Sequence, residues 1–222
     1  MPPKKSPAAK PAAKPAGKPA AKSTVKPGGK STTKAPAKQS AKAESSGAAA
    51  AVKVEPVGVS IGIKQLNNVL KDEDGKMKAT GRWPLVIDKS GRAATFLRYQ
   101  YANYLTAVNP GDLQPETLRK ALIGAIRYGK ELTIDMVESD LYENLETQLE
   151  TVQKGLLESI VSKEILKDDK YLSLVKDEDG SEYGEYNFNP MMLDNFMFII
   201  VTEKEEQEDR VLQKFYTVKI LE

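Results

Sequence analysis

The chain reads as an α/β sandwich, a mostly parallel sheet with helices on both faces. Three observations predict that class. Leu85-Val86-Ile87 and Phe196–Val201 are unbroken apolar runs, as strands buried on both faces require. Such runs alternate along the chain with segments whose apolar residues recur at helical spacing. The third is the strength of one of those helices, Pro115–Tyr128. Proline suits its first turn, Leu118, Ala121, Leu122, Ala125 and Ile126 line one face, and Gly129 stands ready to end it.

The remaining elements follow in order. Ile61, Ile63, Leu66, Val69 and Leu70 make a short, partly helical stripe ended by Lys71-Asp72-Glu73-Asp74-Gly75. Residues 57–78 are therefore expected to be a helical linker, with the folded domain at 79–222. Trp83–Asp88 reads as a buried strand and Phe96–Leu105 as a helix. After Gly129 come a strand over Glu131–Val137 and helices over Leu141–Gln153 and Leu156–Val161. Tyr171–Val175 and Glu182–Phe188, flanking a turn at Lys176–Gly180, have the alternation of a β-hairpin. Asn195–Thr202 and Lys214–Leu221 are the last two strands.

Residues 1–56 are different material. Lysine recurs at every fourth position from 10 to 42, interleaved with Ala, Pro, Ser, Thr and Gly. A segment with so little to bury does not offset its ordering entropy, so it is expected to be a disordered, extended tail. The first 43 residues hold 11 lysines and no acid, so the formal charge of +2 leaves −9 for the remainder. A basic arm on an acidic body points to a polyanionic partner for the arm, through Lys10, Lys14, Lys18, Lys22, Lys26, Lys30, Lys34, Lys38 and Lys42.

Cysteine and histidine are absent, which removes thiolate nucleophiles, Cys/His zinc sites and Ser-His-Asp relays in this chain. The longest apolar run, Phe196–Val201, is far short of the roughly 20 residues that a membrane span needs. No metal and no membrane partner is expected. The basic start has no apolar segment behind it, so it does not read as a secretory signal.

The segment between the Trp83 strand and the following helix is the most telling. A strand–loop–helix phosphate site carries G-x-x-x-x-G-K-[ST], in which backbone N–H groups cradle phosphate and the lysine neutralises it. Here the register runs Asp88-Lys89-Ser90-Gly91-Arg92-Ala93-Ala94-Thr95. Gly91 and Thr95 suit such a loop. Asp88 and Ala93 replace its glycines, and Ala94 stands where lysine is required. An aspartate at the loop entrance repels phosphate.

Together with the helix ending Ala125-Ile126-Arg127-Tyr128-Gly129-Lys130, the strand Leu132–Glu138 and the strand Phe196–Lys204, this segment resembles the AAA+ modules of dynein heavy chains. The likeness is greatest to the fifth, non-catalytic module, and a similar segment ends some IQ-motif and ankyrin-repeat proteins. The resemblance covers residues 80–222. It implies a three-layer P-loop-NTPase-like fold without the helical lid. It also places Asp135 at the family's magnesium aspartate and Met136 where the catalytic glutamate belongs. Thr202 or Glu203 falls where an active module often holds asparagine.

No catalytic constellation and no cofactor are expected, and the chain is read as not an enzyme. Asp135 is expected to hydrogen-bond its neighbouring loop, and Arg127 to be a packing residue. The two Lys-Asp-Glu-Asp-Gly segments lack the first and last carboxylates of a calcium loop and are expected to be solvated turns. Met191 and Met192 are expected in the core. The function expected is a cytoskeletal or axonemal scaffold of cilia or flagella whose arm binds acidic tubulin tails. The alternative is a nuclear, nucleic-acid-associated protein with a tail resembling those of linker histones. A nucleotide hydrolase ranks last.

Overall fold

The computed structural model describes residues 56–221. The lysines of the arm, Lys10 to Lys42, lie outside them.

The described chain runs β1 (Gly58–Gly62), α1 (Leu66–Leu70), α2 (Lys76–Thr80), β2 (Trp83–Ile87), α3 (Arg92–Gln100), β3 (Asn103–Thr106) and α4 (Pro115–Tyr128). It continues with β4 (Glu131–Asp135), α5 (Tyr142–Val152), α6 (Leu156–Val161), α7 (Pro190–Asn195), β5 (Met197–Thr202), α8 (Asp209–Lys214) and β6 (Phe215–Leu221). The strands form one six-stranded sheet in the order β1-β6-β2-β5-β4-β3. Every pairing in it is parallel. The architecture is consistent with a P-loop-like fold.

Side-chain alternation divides the core between two faces. Leu85, Ile87, Leu132, Ile134, Phe198 and Ile200 pack with α4, α5 and α6 on one side. Val86, Ile199, Val201, Val218 and Ile220 pack with α1, α2 and α3 on the other. The central strands β2 and β5 are buried on both faces, which is why they read as continuous apolar runs.

Four expectations are corrected. Residues 57–78 are not only a helical linker, since β1 pairs with β6 from Gly58↔Thr217 to Gly62↔Leu221. Glycine is needed at 58, where a Cβ would lie 2.0 Å from the Thr217 carbonyl oxygen. The helix expected over 96–105 is Arg92–Gln100, and the residues after it form the edge strand β3. Tyr171–Phe188 is no hairpin. It is a chain of short 3-10 turns, Lys170–Leu174, Asp177–Asp179, Ser181–Tyr183 and Glu185–Asn187. Tyr171, Leu174 and Phe188 anchor this segment in the core, and glycines 180 and 184 break any ladder between them. Met191 and Met192 are exposed on α7 rather than buried.

The first correction can be checked on two shortened chains. Ile61, Leu66, Leu70 and Met77 are all buried, and each is worth about 1.5–3 kcal/mol. Removing them approaches the whole stability of a domain, about 5–15 kcal/mol. A chain starting at Pro56 is expected to unfold cooperatively. One starting at Ala79, the boundary read from sequence, is expected to melt at least ~10 °C lower or to lose its transition. Calorimetry on the pair measures this, and equal melting temperatures would contradict the place of β1 in the fold.

Candidate functional site at the carboxyl edge of the sheet

Because all strands run the same way, their C-terminal ends converge on one edge, where ligands of open α/β sheets bind. Asp88 follows β2 there and is 2 % exposed. Its Oδ1 accepts from the Ser90 N–H at 2.9 Å and the Ser90 hydroxyl at 2.6 Å. Its Oδ2 accepts from the Ala93 N–H at 2.6 Å. Gly91 sits at the start of α3 with φ +67°, the left-handed region that glycine enters freely, and contributes no capping side chain. Asp88 supplies the cap instead. Two backbone donors of the kind that cradle a phosphate at a helix N-terminus, Ser90 and Ala93, are held by a carboxylate of the chain itself.

The rest of the loop is consistent with that. Ala94, at the lysine position, is buried among α3's contacts with the sheet. The Thr95 hydroxyl donates to the Gly91 carbonyl at 3.1 Å. Glu203, at the end of β5, faces Gly91 so closely that a Cβ there would lie 2.9 Å from its Oε1. Burial raises the Glu203 carboxyl above its ordinary range, and the charges of Glu138, Asp135 and Asp88 raise it further. The residues present do not fit a nucleotide phosphate.

Asp135, at the end of β4, is also buried and fully engaged. The Tyr104 hydroxyl donates to Oδ2 at 2.5 Å, and the Val137 N–H donates to Oδ1 at 2.9 Å. The Arg98 guanidinium lies 3.5 Å from Oδ2 and stacks over the Tyr104 ring at 5.0 Å. Burial, and then the bond to Asp135, pushes the Tyr104 phenol well above its usual range. The loop contact expected of Asp135 is thus present, through Val137. That residue is strained, a β-branched side chain at φ +55°. Its carbonyl accepts from the Glu203 N–H at 2.8 Å and the Thr202 hydroxyl at 3.1 Å, so it ties the ends of β4 and β5 together. Among the described residues, no group of three or more Asp or Glu side chains is arranged to hold a metal ion.

The structure brings Asp88, Gly91, Asp135 and Glu203 to one edge but leaves Arg127 elsewhere. Arg127 lies over Tyr128 at 4.5 Å and Tyr183 at 5.2 Å, the packing role expected of it. The charge missed from sequence is Arg119, 2 % exposed on α4. Its Nη1 donates to the Leu174 carbonyl at 2.7 Å and to Asp179 Oδ2 at 2.6 Å, while Glu116 takes its Nε at 3.0 Å. Asp179 belongs to the second Lys-Asp-Glu-Asp-Gly segment, whose other four residues are exposed as expected of a solvated turn. The first is also an exposed turn except at Asp72, which is buried and accepts from the Met77 and Lys78 N–H groups, each at 2.8 Å. The one available signal was the Glu116/Arg119 pair at helical spacing, and it pointed to solvent.

No family model matches the chain. It is similar to the cytoplasmic dynein heavy chain of Drosophila melanogaster, 36 % identical over 63 residues. That stretch is 28 % of this chain and 1 % of the fly protein. The finding supports a relation to dynein heavy chains over that stretch.

Three outcomes follow. Replacing Asp88 with Ala strands the Ser90 and Ala93 donors and removes the α3 cap, which is expected to cost about 1–3 kcal/mol in denaturant unfolding. Arg119→Met leaves Asp179 buried without its partner, and a loss of about 3–5 kcal/mol is expected. Asp179 is held down to about 2 by its bonds to Arg119. A depressed carboxyl stabilises the fold above its unfolded value near ~4 and ceases to as pH falls through its folded value. Stability should therefore fall from about pH 4 toward pH 2, and less steeply in Asp179→Asn.

Proposed function

We propose that this protein is a non-catalytic, cytoskeleton-associated scaffold of cilia or flagella, built on a degenerate dynein-type AAA module. The observation that carries the non-catalytic reading is the Asp88 carboxylate seated on the Ser90 and Ala93 N–H groups. Those donors are engaged, Ala94 takes the expected lysine position and Met136 that of the catalytic acid, so the groups that a phosphate loop uses to stabilise a transferring phosphoryl group are missing. No cofactor is required for such a role. The dynein likeness supports the cytoskeletal setting, and the acid-free lysine arm supports contact with acidic tubulin tails.

The arm alone also suits nucleic acid, because screened charge and counterion release weaken both kinds of complex as salt rises. The body separates the two partners. Its described residues, 56–221, carry 21 Lys and Arg against 28 Asp and Glu, a net −7. On DNA such a body weakens binding by repulsion. On microtubules a scaffold domain adds a second contact at high effective concentration. Co-sedimentation with normal and tail-stripped microtubules, beside a DNA shift assay, compares intact chain with residues 1–56. The intact chain is expected to bind normal microtubules more tightly than the arm and DNA more weakly. DNA binding strengthened by the body, with microtubule binding unchanged by it, would overturn the cytoskeletal reading and favour the nuclear one.

A further inference from the structure

The amino edge of the sheet, opposite Asp88 and Asp135, carries a second feature. A cleft of about 560 Å³ opens where β2, β4 and β5 begin, a volume within the usual range for small-molecule sites. Its walls come from the α1–α2 turn, the start of β2, the turn after α6 and the end of α7. Trp83 is fixed in the wall. Its indole N–H donates to the Ile160 carbonyl at 2.7 Å, and its ring meets Phe196 edge-on at 5.6 Å.

Lys163 lies over that indole, its ammonium 4.0 Å from the ring centroid. The backbone holds it there at φ +63°, unusual for a residue other than glycine. Lys78 and Arg82 line the same cleft. Among the described residues, none of these three cations has a carboxylate within ion-pair distance, whereas most other basic side chains near acids on this surface are paired. The acids in the cleft form no ion pair with them, although the Asp72 charge reaches Lys163. Asp72 spends both oxygens on the Met77 and Lys78 N–H groups, and Asp194 and Glu131 make no ion pair with a described residue. Burial lowers the Lys163 ammonium below its ordinary range; the nearby Asp72 charge opposes that lowering, and the charge of Lys78 adds to it. Arg82 and Lys163 are half-buried and Lys78 is exposed, so an anion entering the cleft meets three cations that no carboxylate among the described residues holds in an ion pair.

We infer that this cleft is a binding site for a small organic anion, its acidic head on Lys78, Arg82 and Lys163 and its apolar body against Tyr101, Leu166 and Phe196. The site is separate from the carboxyl edge and does not depend on the cytoskeletal role.

Trp83 is the chain's single tryptophan, so its emission reports this cleft alone, whatever the arm does. The intact protein is titrated with phenyl phosphate, inorganic phosphate and phenol at about 0.15 M salt, near physiological screening. Phenyl phosphate is expected to shift the emission saturably with a Kd below ~1 mM, while phosphate and phenol bind at least ~10-fold more weakly, each lacking half of the recognition. Lys163→Met, which keeps the stem on the indole, and Arg82→Gln, which leaves the indole's surroundings alone, should each weaken phenyl phosphate by at least ~10-fold. Lys89→Gln, at the opposite edge, should leave it unchanged. No saturable shift, equal binding of phenol, or full affinity in both cleft variants would overturn the proposal.

Discussion

The whole arrangement depends on a sheet in which all six strands run one way. Parallel strands need a crossover between neighbours, so helices are laid on both faces, and the central strands lose contact with water altogether. That one constraint accounts for the apolar runs of β2 and β5 and for the division of the core into two clusters. It also sorts the chemistry by strand end. Whatever follows a strand gathers at one edge, and whatever precedes it gathers at the other.

The two edges differ in how their charges are partnered. At the carboxyl edge the acids are settled by the fold: Asp88 caps α3, and Asp135 is shared by Tyr104, Val137 and Arg98. A helix N-terminus satisfied by an internal carboxylate has little left to offer an external anion. At the amino edge, Lys78, Arg82 and Lys163 face a cleft without carboxylates in ion-pair reach among the described residues. Acids thus take up backbone donors at one end of the strands, while three cations stay outside ion pairs with described residues at the other.

Much of this was legible in the sequence, and the failures have physical causes. β2, β4, β5 and β6 announce themselves because two-sided burial demands apolar runs, and α4 because one-sided burial demands a stripe. Asp88 was recognised as incompatible with phosphate, but its role as a cap needed the coordinates, since the cap position itself is Gly91. β1 looked like linker because glycines bound it, and one of them is there to let the β6 backbone approach. β3 is half-buried throughout, so it lacks the apolar run of its neighbours. The false hairpin arose from aromatic residues that alternate by chance of spacing, although Tyr171, Leu174 and Phe188 are the ones buried in the core. Arg119 could not be read as buried, because the partner that makes burial tolerable, Asp179, lies 60 residues away.

The central claim is that Asp88 holds the donors a phosphate would need. Amide resonances of Ser90 and Ala93 in the intact chain report those donors individually. In nitrogen–proton correlation spectra they are expected to stay in place as Mg-ATP is added to the millimolar range, and to move on Asp88→Asn, which weakens the acceptor. A saturable shift of the two amides with Mg-ATP at micromolar concentration would contradict the account and return the carboxyl edge to nucleotide chemistry.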